Sequence, residues 1–319
     1  MKIFIQIPCY NEESQISDTI IAIKDSIKKL PKLIDDEEIN YKILVIDDGS
    51  NDKTSSFAKK LKVDYIIKHP SNRGLALAFQ TGLINCLKYG ADIIINTDAD
   101  NQYEAKDIDK ILMPILNNEA DIVIGARPIS SHSEFSASKK IFQKLGSLVV
   151  RNLSKTSVAD APSGFRAISR DAASKINIYD NYTYTLESII QAGLGGMKVI
   201  SVPIRVNKSI RDSRLVKSNF NYIYKSLLTI VKTILIYRAT KITLLPSLVL
   251  YISSLIIYLR WILIWLSNSP RSHVPSLVIA SVMFFTASQL MAISFNSFLN
   301  GINRRLLERI LSDKKIKKH

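Results

Sequence analysis

The chain opens on a repeated alternation of short apolar runs and amphipathic stretches. Residues 3–7, 42–46, 65–67, 93–96 and 122–124 are rich in Ile and Val and predict strands. Most are apolar throughout rather than at alternate positions, as in a sheet covered on both faces. Between them, residues 14–29, 52–61, 75–89 and 105–117 carry apolar side chains at helical spacing. This alternation predicts an α/β domain with a doubly wound, mostly parallel sheet. Residues 31–40 are polar and acidic and read as a loop, and the Ser-rich stretch 127–139 reads as a mobile loop beside a site. Beyond it, 140–153 reads as a helix, 163–168 as extended, 183–191 as a helix and 199–206 as a last strand.

The pattern changes after residue 215. Phe220, Ile223, Leu227, Leu228, Val231 and Leu235 recur at helical spacing, opposite Lys217, Asn221, Lys225, Thr229 and Lys232. A basic amphipathic helix of this kind suits a bilayer interface rich in anionic lipid; packing on the preceding domain is the other reading. Residues 244–266 and 275–299 are then almost free of charge, and each is longer than the roughly 20 residues needed to cross a bilayer as a helix. The expected organisation is a catalytic domain over 1–215, a juxtamembrane helix over 216–241, a transmembrane hairpin over 242–301 and a basic tail over 302–319.

The averages hide this split, since 47% hydrophobic and 22% charged residues in 319 describe an ordinary globular protein. A net charge of +15 admits a nucleic-acid partner. The basic residues, however, crowd around the apolar stretches. Lys217, Lys225, Lys232, Arg238 and Lys241 precede the first, and Arg304, Arg305, Arg309, Lys314, Lys315, Lys317 and Lys318 follow the second. Their distribution points to a membrane surface rather than to nucleic acid. Between the spans, Arg271 is the only Lys or Arg of residues 267–274. By the positive-inside rule the catalytic domain and both termini are cytoplasmic. Cys9 and Cys86 lie in different elements and suit a reducing compartment. Residues 1–6 begin a strand directly, without a cationic leader and apolar core, so no signal peptide is expected.

Chemistry concentrates where strands end. The run 93–95 leads into Asn96-Thr97-Asp98-Ala99-Asp100-Asn101-Gln102, at the strand end where open α/β sheets bind ligands. In extended chain Asp98 and Asp100 point the same way and can share a partner. Adjacent carboxylates repel unless a cation lies between them, and hard oxygens suit Mg²⁺ or Mn²⁺, which also bind a diphosphate. The alternative is an Asp-rich turn that caps the next helix. Strand 42–46 runs into Asp47-Asp48-Gly49-Ser50-Asn51-Asp52. There Gly49 permits a tight turn, Asn51 or Asp52 caps a helix, and Asp47 and Asp48 remain to accept hydrogen bonds from a base or ribose. The first strand ends in Pro8-Cys9-Tyr10-Asn11-Glu12-Glu13. Three polar or acidic exits on one sheet edge argue for a site more strongly than any one does.

These segments, with Asn72-Arg73-Gly74-Leu75, Gly125-Ala126-Arg127, Ser163-Gly164-Phe165-Arg166, residues 182–187 and Val202-Pro203-Ile204, resemble the family 2 glycosyltransferases. Within that family the chain is similar to the dolichyl- or polyprenyl-phosphate sugar transferases. The resemblance implies a GT-A fold, with the nucleotide sugar resting on Pro8, Tyr10, Glu12, Asp47, Asp48 and Asp98. It places the metal on Asp98, Asp100 and Gln102, makes Asp100 a catalytic residue, and gives Glu187 the position of a hydroxyl-activating or orienting acid. Cys9 stands where a small Ala, Ser or Thr is usual, and a buried thiol packs like a small hydrophobe. Arg211 stands where a Gly is frequent.

Arg127, Arg166, Arg211 and Arg214 are candidates for gripping a lipid phosphate or the leaving diphosphate, because a guanidinium matches phosphate oxygens in two-pronged fashion. The alternative for each is a solvated surface charge. The expected reaction is a metal-assisted displacement at the sugar's anomeric carbon, inverting by family analogy, with a polyprenyl phosphate as acceptor. A hydroxyl of a lipid-linked or cell-surface glycan is the alternative acceptor, and a non-catalytic membrane scaffold is the alternative of another class. The four histidines are scattered without zinc-site spacing, and no Gly-x-Gly-x-x-Gly follows the first strand. Arg260-Trp261 has Ile257 where a processive synthase has Gln.

Overall fold

The computed structural model describes residues 1–30, 33–34, 37–128, 147–148, 150–152, 154–179, 183–207, 219–267 and 274–316. Residues 1–233 with 308–319 group as one compact unit and residues 234–307 as a second.

The first unit is built on a seven-stranded sheet in the order β5-β4-β1-β6-β8-β7-β9. Strand β1 (Lys2–Cys9) pairs in parallel with β4 (Asn40–Asp47) and β6 (Ile93–Asn96), and β5 (Tyr65–Lys68) extends the sheet beyond β4. Beyond β6, strand β8 (Arg166–Ser169) runs antiparallel to both β6 and β7 (Ile122–Ala126), and β9 (Val199–Pro203) returns parallel to β7. The sheet is thus mostly parallel, as the chain's alternation implies. All four residues of β6 are buried, which is why that run shows no polar alternation. Residues 31–40, expected as loop, contain a small antiparallel pair instead, β2 (Leu33–Ile34) with β3 (Glu37–Glu38). Two-residue strands are too short to show a period.

Helix α1 (Ile16–Ile27) buries Ile16, Thr19, Ile20, Ile23 and Ser26, a stripe at three- and four-residue spacing against the core that includes Ile5, Ile7 and Val45. Helices α2 (Thr54–Lys60), α3 (Leu75–Lys88) and α4 (Ile108–Leu116) follow β4, β5 and β6 in turn. Two further helices, α5 (Arg170–Lys175) and α6 (Thr185–Leu194), lie between β8 and β9. The expected loop 127–139 and helix 140–153 fall mostly outside the described residues, as does Arg211–Arg214.

The expected interfacial helix and first span form one helix, α7 (Asn219–Leu266), and the second span continues through the basic tail as α8 (Val274–Ile316). Composition changes along each helix, but the helical hydrogen-bond ladder has no reason to stop where hydropathy does. Within them Ala239–Leu266 and Val274–Lys315 are long and apolar enough to cross a membrane. Leu245, Ile256, Trp265, Phe285 and Phe295 are exposed, as side chains facing lipid would be. Between α7 and α8, Ser247 Oγ donates to the Ala287 carbonyl at 3.0 Å, Tyr251 OH meets Ser288 Oγ at 2.8 Å and Tyr258 OH meets Ser281 Oγ at 2.9 Å. Small residues and interhelical hydrogen bonds of this kind hold helices together where lipid removes the hydrophobic drive.

Candidate active site

The parallel register brings the C-terminal ends of β1, β4 and β6 together, Cys9 opposite Asp47 and Gln6 opposite Asn96. The two loops that leave β1 and β4 are laced to each other. Asp48 N–H donates to the Cys9 carbonyl at 2.8 Å, Asn11 N–H to Ser50 Oγ at 2.9 Å, and Asn51 N–H to Asn11 Oδ1 at 2.9 Å. Glu12 N–H donates to Thr54 Oγ1 at 2.8 Å, and Glu13 N–H donates to Asp52 Oδ2 at 3.1 Å. Asn11 is in the left-handed region at φ 53°, a conformation Asn tolerates. Gly49, at φ 75°, is required twice over: a β-carbon there would stand 2.4 Å from the Ser71 carbonyl carbon.

Within this cradle Pro8 and Cys9 are buried, and Tyr10 is exposed at the rim. Burial, and next Asp47, push the Cys9 thiol well above its usual range, and its Sγ lies 3.4 Å from the Ile46 carbonyl. Cys9 is an inert packing group, in agreement with the sequence reading. Asp47 is fully buried; Oδ1 accepts from Ser50 N–H at 2.8 Å, while Oδ2 has no hydrogen-bond partner among the described residues and lies 3.8 Å from Lys68 Nζ. A buried carboxylate oxygen left without a hydrogen bond is costly, and a donor on a nucleobase would satisfy it. Asp48 is differently engaged. Oδ1 accepts from Arg73 N–H at 3.0 Å and contacts His69 Nδ1 at 2.7 Å, and Oδ2 accepts from Gly74 N–H at 2.8 Å. Asp48 therefore fixes the Asn72–Gly74 turn at the start of α3. The sequence reading missed His69, because its partner lies 21 residues away.

The Asp98–Asp100 loop hangs from the end of β6 and is tied at both flanks. Thr19 Oγ1 of α1 lies 3.0 Å from the Ala99 carbonyl, and Asn207 Nδ2 donates to the Asn101 carbonyl at 2.9 Å. Asp100 Oδ1 accepts from Gln102 N–H at 3.1 Å, with Asn101 in the left-handed region at φ 55°. Part of the motif is thus an Asx turn. The rest is electrostatic. Asp98 is pushed up to about 7, first by desolvation and next by the Asp100 carboxylate, against the opposing pull of Arg127, a hydrogen bond from Tyr103 and the charge of Arg166. Two oxygen-bearing anions held this close, with one driven to keep a proton, fit a divalent cation. No third His, Cys, Asp or Glu joins them among the described residues, so a bound cation would complete its shell with Gln102, a diphosphate or water.

Behind Asp98 lies a buried polar layer that sequence reasoning left without roles. Tyr103 OH accepts from Gly164 N–H at 2.9 Å. Asn96 Nδ2 donates to the Gly164 carbonyl at 2.7 Å and to Tyr184 OH at 2.9 Å, and Asn96 Oδ1 accepts from Gln6 Nε2 at 2.9 Å. Tyr184 stacks on Phe79 with ring centroids 3.8 Å apart. Burial, joined by the Asp98 charge, raises both phenols, so they stay protonated as donors.

The arginines depart from expectation. Arg166, a candidate phosphate ligand, is turned inward and 1% exposed. Nε and Nη2 donate to the Ser163 carbonyl at 2.9 and 2.7 Å, Nη2 also to the Ala161 carbonyl at 3.0 Å, and Nη1 to Ser188 Oγ at 2.7 Å. Its donors are thus engaged with the 161–163 turn and with Ser188. Arg127 forms a two-pronged pair with Asp160, Nε to Oδ2 at 2.7 Å and Nη2 to Oδ1 at 3.1 Å. Burial works to lower the Arg127 pKa, but the charge of Asp160, the Tyr103 phenol, the hydrogen bond to Asp160 and the Asp98 charge together outweigh it and raise it. Glu187 is likewise buried, and both its oxygens accept from Tyr179 N–H at 3.1 Å. Each partner was hidden because sequence pattern carries no information about which distant oxygen a guanidinium or amide will meet.

The sequence profile of Glycosyl transferase family 2 matches residues 4–176. The chain is similar to the UDP-N-acetylglucosamine–dolichyl-phosphate N-acetylglucosaminyltransferase of Methanococcus voltae, at 30% identity over 64% of this chain and 84% of the relative. It is also similar to the undecaprenyl-phosphate mannosyltransferase of Micrococcus luteus, at 24% identity over 67% of this chain and 88% of that one. Among solved structures, glucosyl-3-phosphoglycerate synthase from Mycobacterium tuberculosis, in complex with Mn²⁺, uridine diphosphate and glucosyl-3-phosphoglycerate, superposes with a TM-score of 0.53 at 18% identity, over 73% of this chain and 78% of that one. This last likeness bears on the fold, which is of the GT-A type.

Proposed function

The chain belongs to glycosyltransferase family 2, and from that premise we propose that it transfers a sugar from a nucleotide-sugar donor to the phosphate of a polyprenyl phosphate at a membrane surface. The observation that carries the reading is the Asp98–Asp100 pair at the exit of β6, the strand beside β1, with Asp98 raised by burial and by its neighbour.

In this reading the nucleotide lies along the β1 and β4 exits. Asp47 Oδ2 accepts from the base, Tyr10 flanks it at the rim, and Glu12 and Asp48 hold the loops in shape. Asp98, Asp100 and Gln102 would hold Mg²⁺ or Mn²⁺, which when bound would supply positive charge against the diphosphate. The acceptor's phosphate oxygen attacks the anomeric carbon, the bond from that carbon to the diphosphate oxygen breaks, and the nucleoside diphosphate leaves with the electron pair; the configuration inverts. A phosphate acceptor is already ionised and needs no general base. Two long apolar helices and the named activities of the relatives support a lipid-linked acceptor. The basic flanks of the apolar stretches favour a cytoplasmic catalytic unit.

Purified full-length protein, Mn²⁺ and a panel of radiolabelled uridine and guanosine diphosphate sugars, incubated with undecaprenyl or dolichyl phosphate, test the reading. A labelled lipid-phosphate sugar is expected with at least one donor. Its absence with every donor, alongside transfer to a glycan hydroxyl, would overturn it.

A further inference from the structure

Residues 176–179 form neither helix nor strand, yet the backbone amides of 177–179 are satisfied one after another by long side chains. Asn177 N–H donates to Gln191 Oε1 at 2.9 Å, Ile178 N–H to Gln80 Oε1 at 3.1 Å, and Tyr179 N–H to both oxygens of Glu187. Buried backbone groups need partners of both kinds, and the carbonyls of this segment require donors. The last turns of α8 supply them. Lys315 Nζ donates to the Ile176 carbonyl at 3.0 Å, to the Ser174 carbonyl at 3.2 Å and to Asn177 Oδ1 at 2.9 Å. One turn earlier Ser312 Oγ meets Ser174 Oγ at 2.8 Å, and Tyr179 OH reaches Glu308 Oε1 at 3.4 Å. Glu308, Ser312 and Lys315 lie on one helix face, at spacings of four and three.

We propose that Lys315 is a positioning residue for the transfer reaction: the end of α8 clamps the 174–179 segment and through it sets Glu187 and Tyr184 on the acceptor side of the site. The side follows from topology. The nucleotide loops leave β1 and β4, whereas Tyr184 meets Asn96, which also donates to the Gly164 carbonyl, at the junction of β6 with β8. Lysine, with three hydrogens on one atom, can meet three oxygens converging from one turn. The proposal rests on the function argued above for its kinetic readout, but not for its structural one.

The test compares full-length wild type with Lys315→Met, Lys315→Arg and Ser312→Ala, in nanodiscs. Hydrogen exchange at the Asn177, Ile178 and Tyr179 amides is expected to quicken roughly tenfold in Lys315→Met and less in Lys315→Arg. With undecaprenyl phosphate, KM for the acceptor should rise about tenfold in Lys315→Met, KM for the donor should stay within about twofold, and Lys315→Arg should recover part of the loss. Unchanged exchange at these amides, or equal shifts in both KM values without rescue by arginine, would overturn the proposal. Ser312→Ala, a milder change, should move the same amides in the same direction if Lys315→Met fails to fold, and unchanged exchange in it would count against the clamp. A wild type inactive toward undecaprenyl phosphate would sink the proposed function and leave exchange to judge the clamp.

Discussion

Gly164 lies so close to Asp98 that a β-carbon on it would stand 2.7 Å from one carboxylate oxygen and 2.8 Å from the other, with Tyr184 OH at 2.9 Å on a third side. The glycine is not at positive φ; it is required by the approach of the carboxylate. Gly164→Ala must displace Asp98, because the buried Tyr184 ring, stacked on Phe79, cannot yield. The variant is expected to fold, to lose at least about tenfold in kcat, and to show a smaller Mn²⁺-induced rise in melting temperature. Wild-type kinetics in Gly164→Ala would show that Asp98 has room to move.

The charge state of Asp98 gives a pH dependence with a defined sign. An unfolded Asp releases its proton near pH ~4, whereas folded Asp98 holds it to about 7. Between these values the folded state binds more protons, so the contribution of Asp98 to stability falls as pH rises through that window. In a chelator, the melting temperature of wild type relative to Asp98→Asn should drop between pH 5 and pH 8, and Mn²⁺ should restore it at pH 8. A difference that is flat across this range would mean that the carboxylate is not held protonated.

Asp160 is 1% exposed at its side chain and Arg127 10%. Breaking a buried pair leaves one charge uncompensated, typically at a cost of about 3–5 kcal/mol. Asp160→Asn should therefore lower the denaturation midpoint strongly, and more than the paired replacement Arg127→Met with Asp160→Leu. Additive losses in that double-mutant cycle would show that the two groups act independently.

Arg166 separates two readings cleanly. As a ligand for phosphate it would, on replacement by lysine, raise KM without affecting folding. Its bonds to the Ala161 and Ser163 carbonyls and to Ser188 Oγ predict the reverse: Arg166→Lys should melt several degrees lower while KM for both substrates changes by less than about twofold. Thermal melts and steady-state kinetics on one preparation decide it.

What could be read in the sequence, and what could not, divides along the range of the interactions. Strands β1, β4 and β6 were legible because each buried run is a local block of Ile and Val, and each ends on the polar groups that form the site. That Asp98 and Asp100 lie within reach of each other's charge was legible in their spacing, although the chain turns at Ala99 and Asp100 instead of running extended. Opaque to pattern were contacts set by tertiary closure: Asp48 holding Arg73 and Gly74, Arg127 holding Asp160, and Arg166 turned onto Ala161 and Ser163. The antiparallel direction of β8 was equally hidden, since four buried residues read the same either way. The joining of the amphipathic segment to the first span in α7 leaves no mark in the pattern, since hydropathy changes along the helix while its hydrogen-bond ladder continues.

The central claim is that Asp98 and Asp100 together hold a cation against the donor's diphosphate. Calorimetric titration of the full-length protein with a uridine or guanosine diphosphate, in Mn²⁺ and in chelator, tests it on wild type, Asp98→Asn and Asp100→Asn. The expected result is Mn²⁺-dependent binding of at least one nucleotide by wild type, weakened roughly tenfold or more in each variant, with the chelated proteins alike. Binding of equal strength with and without Mn²⁺, unaltered in both variants, would contradict the account.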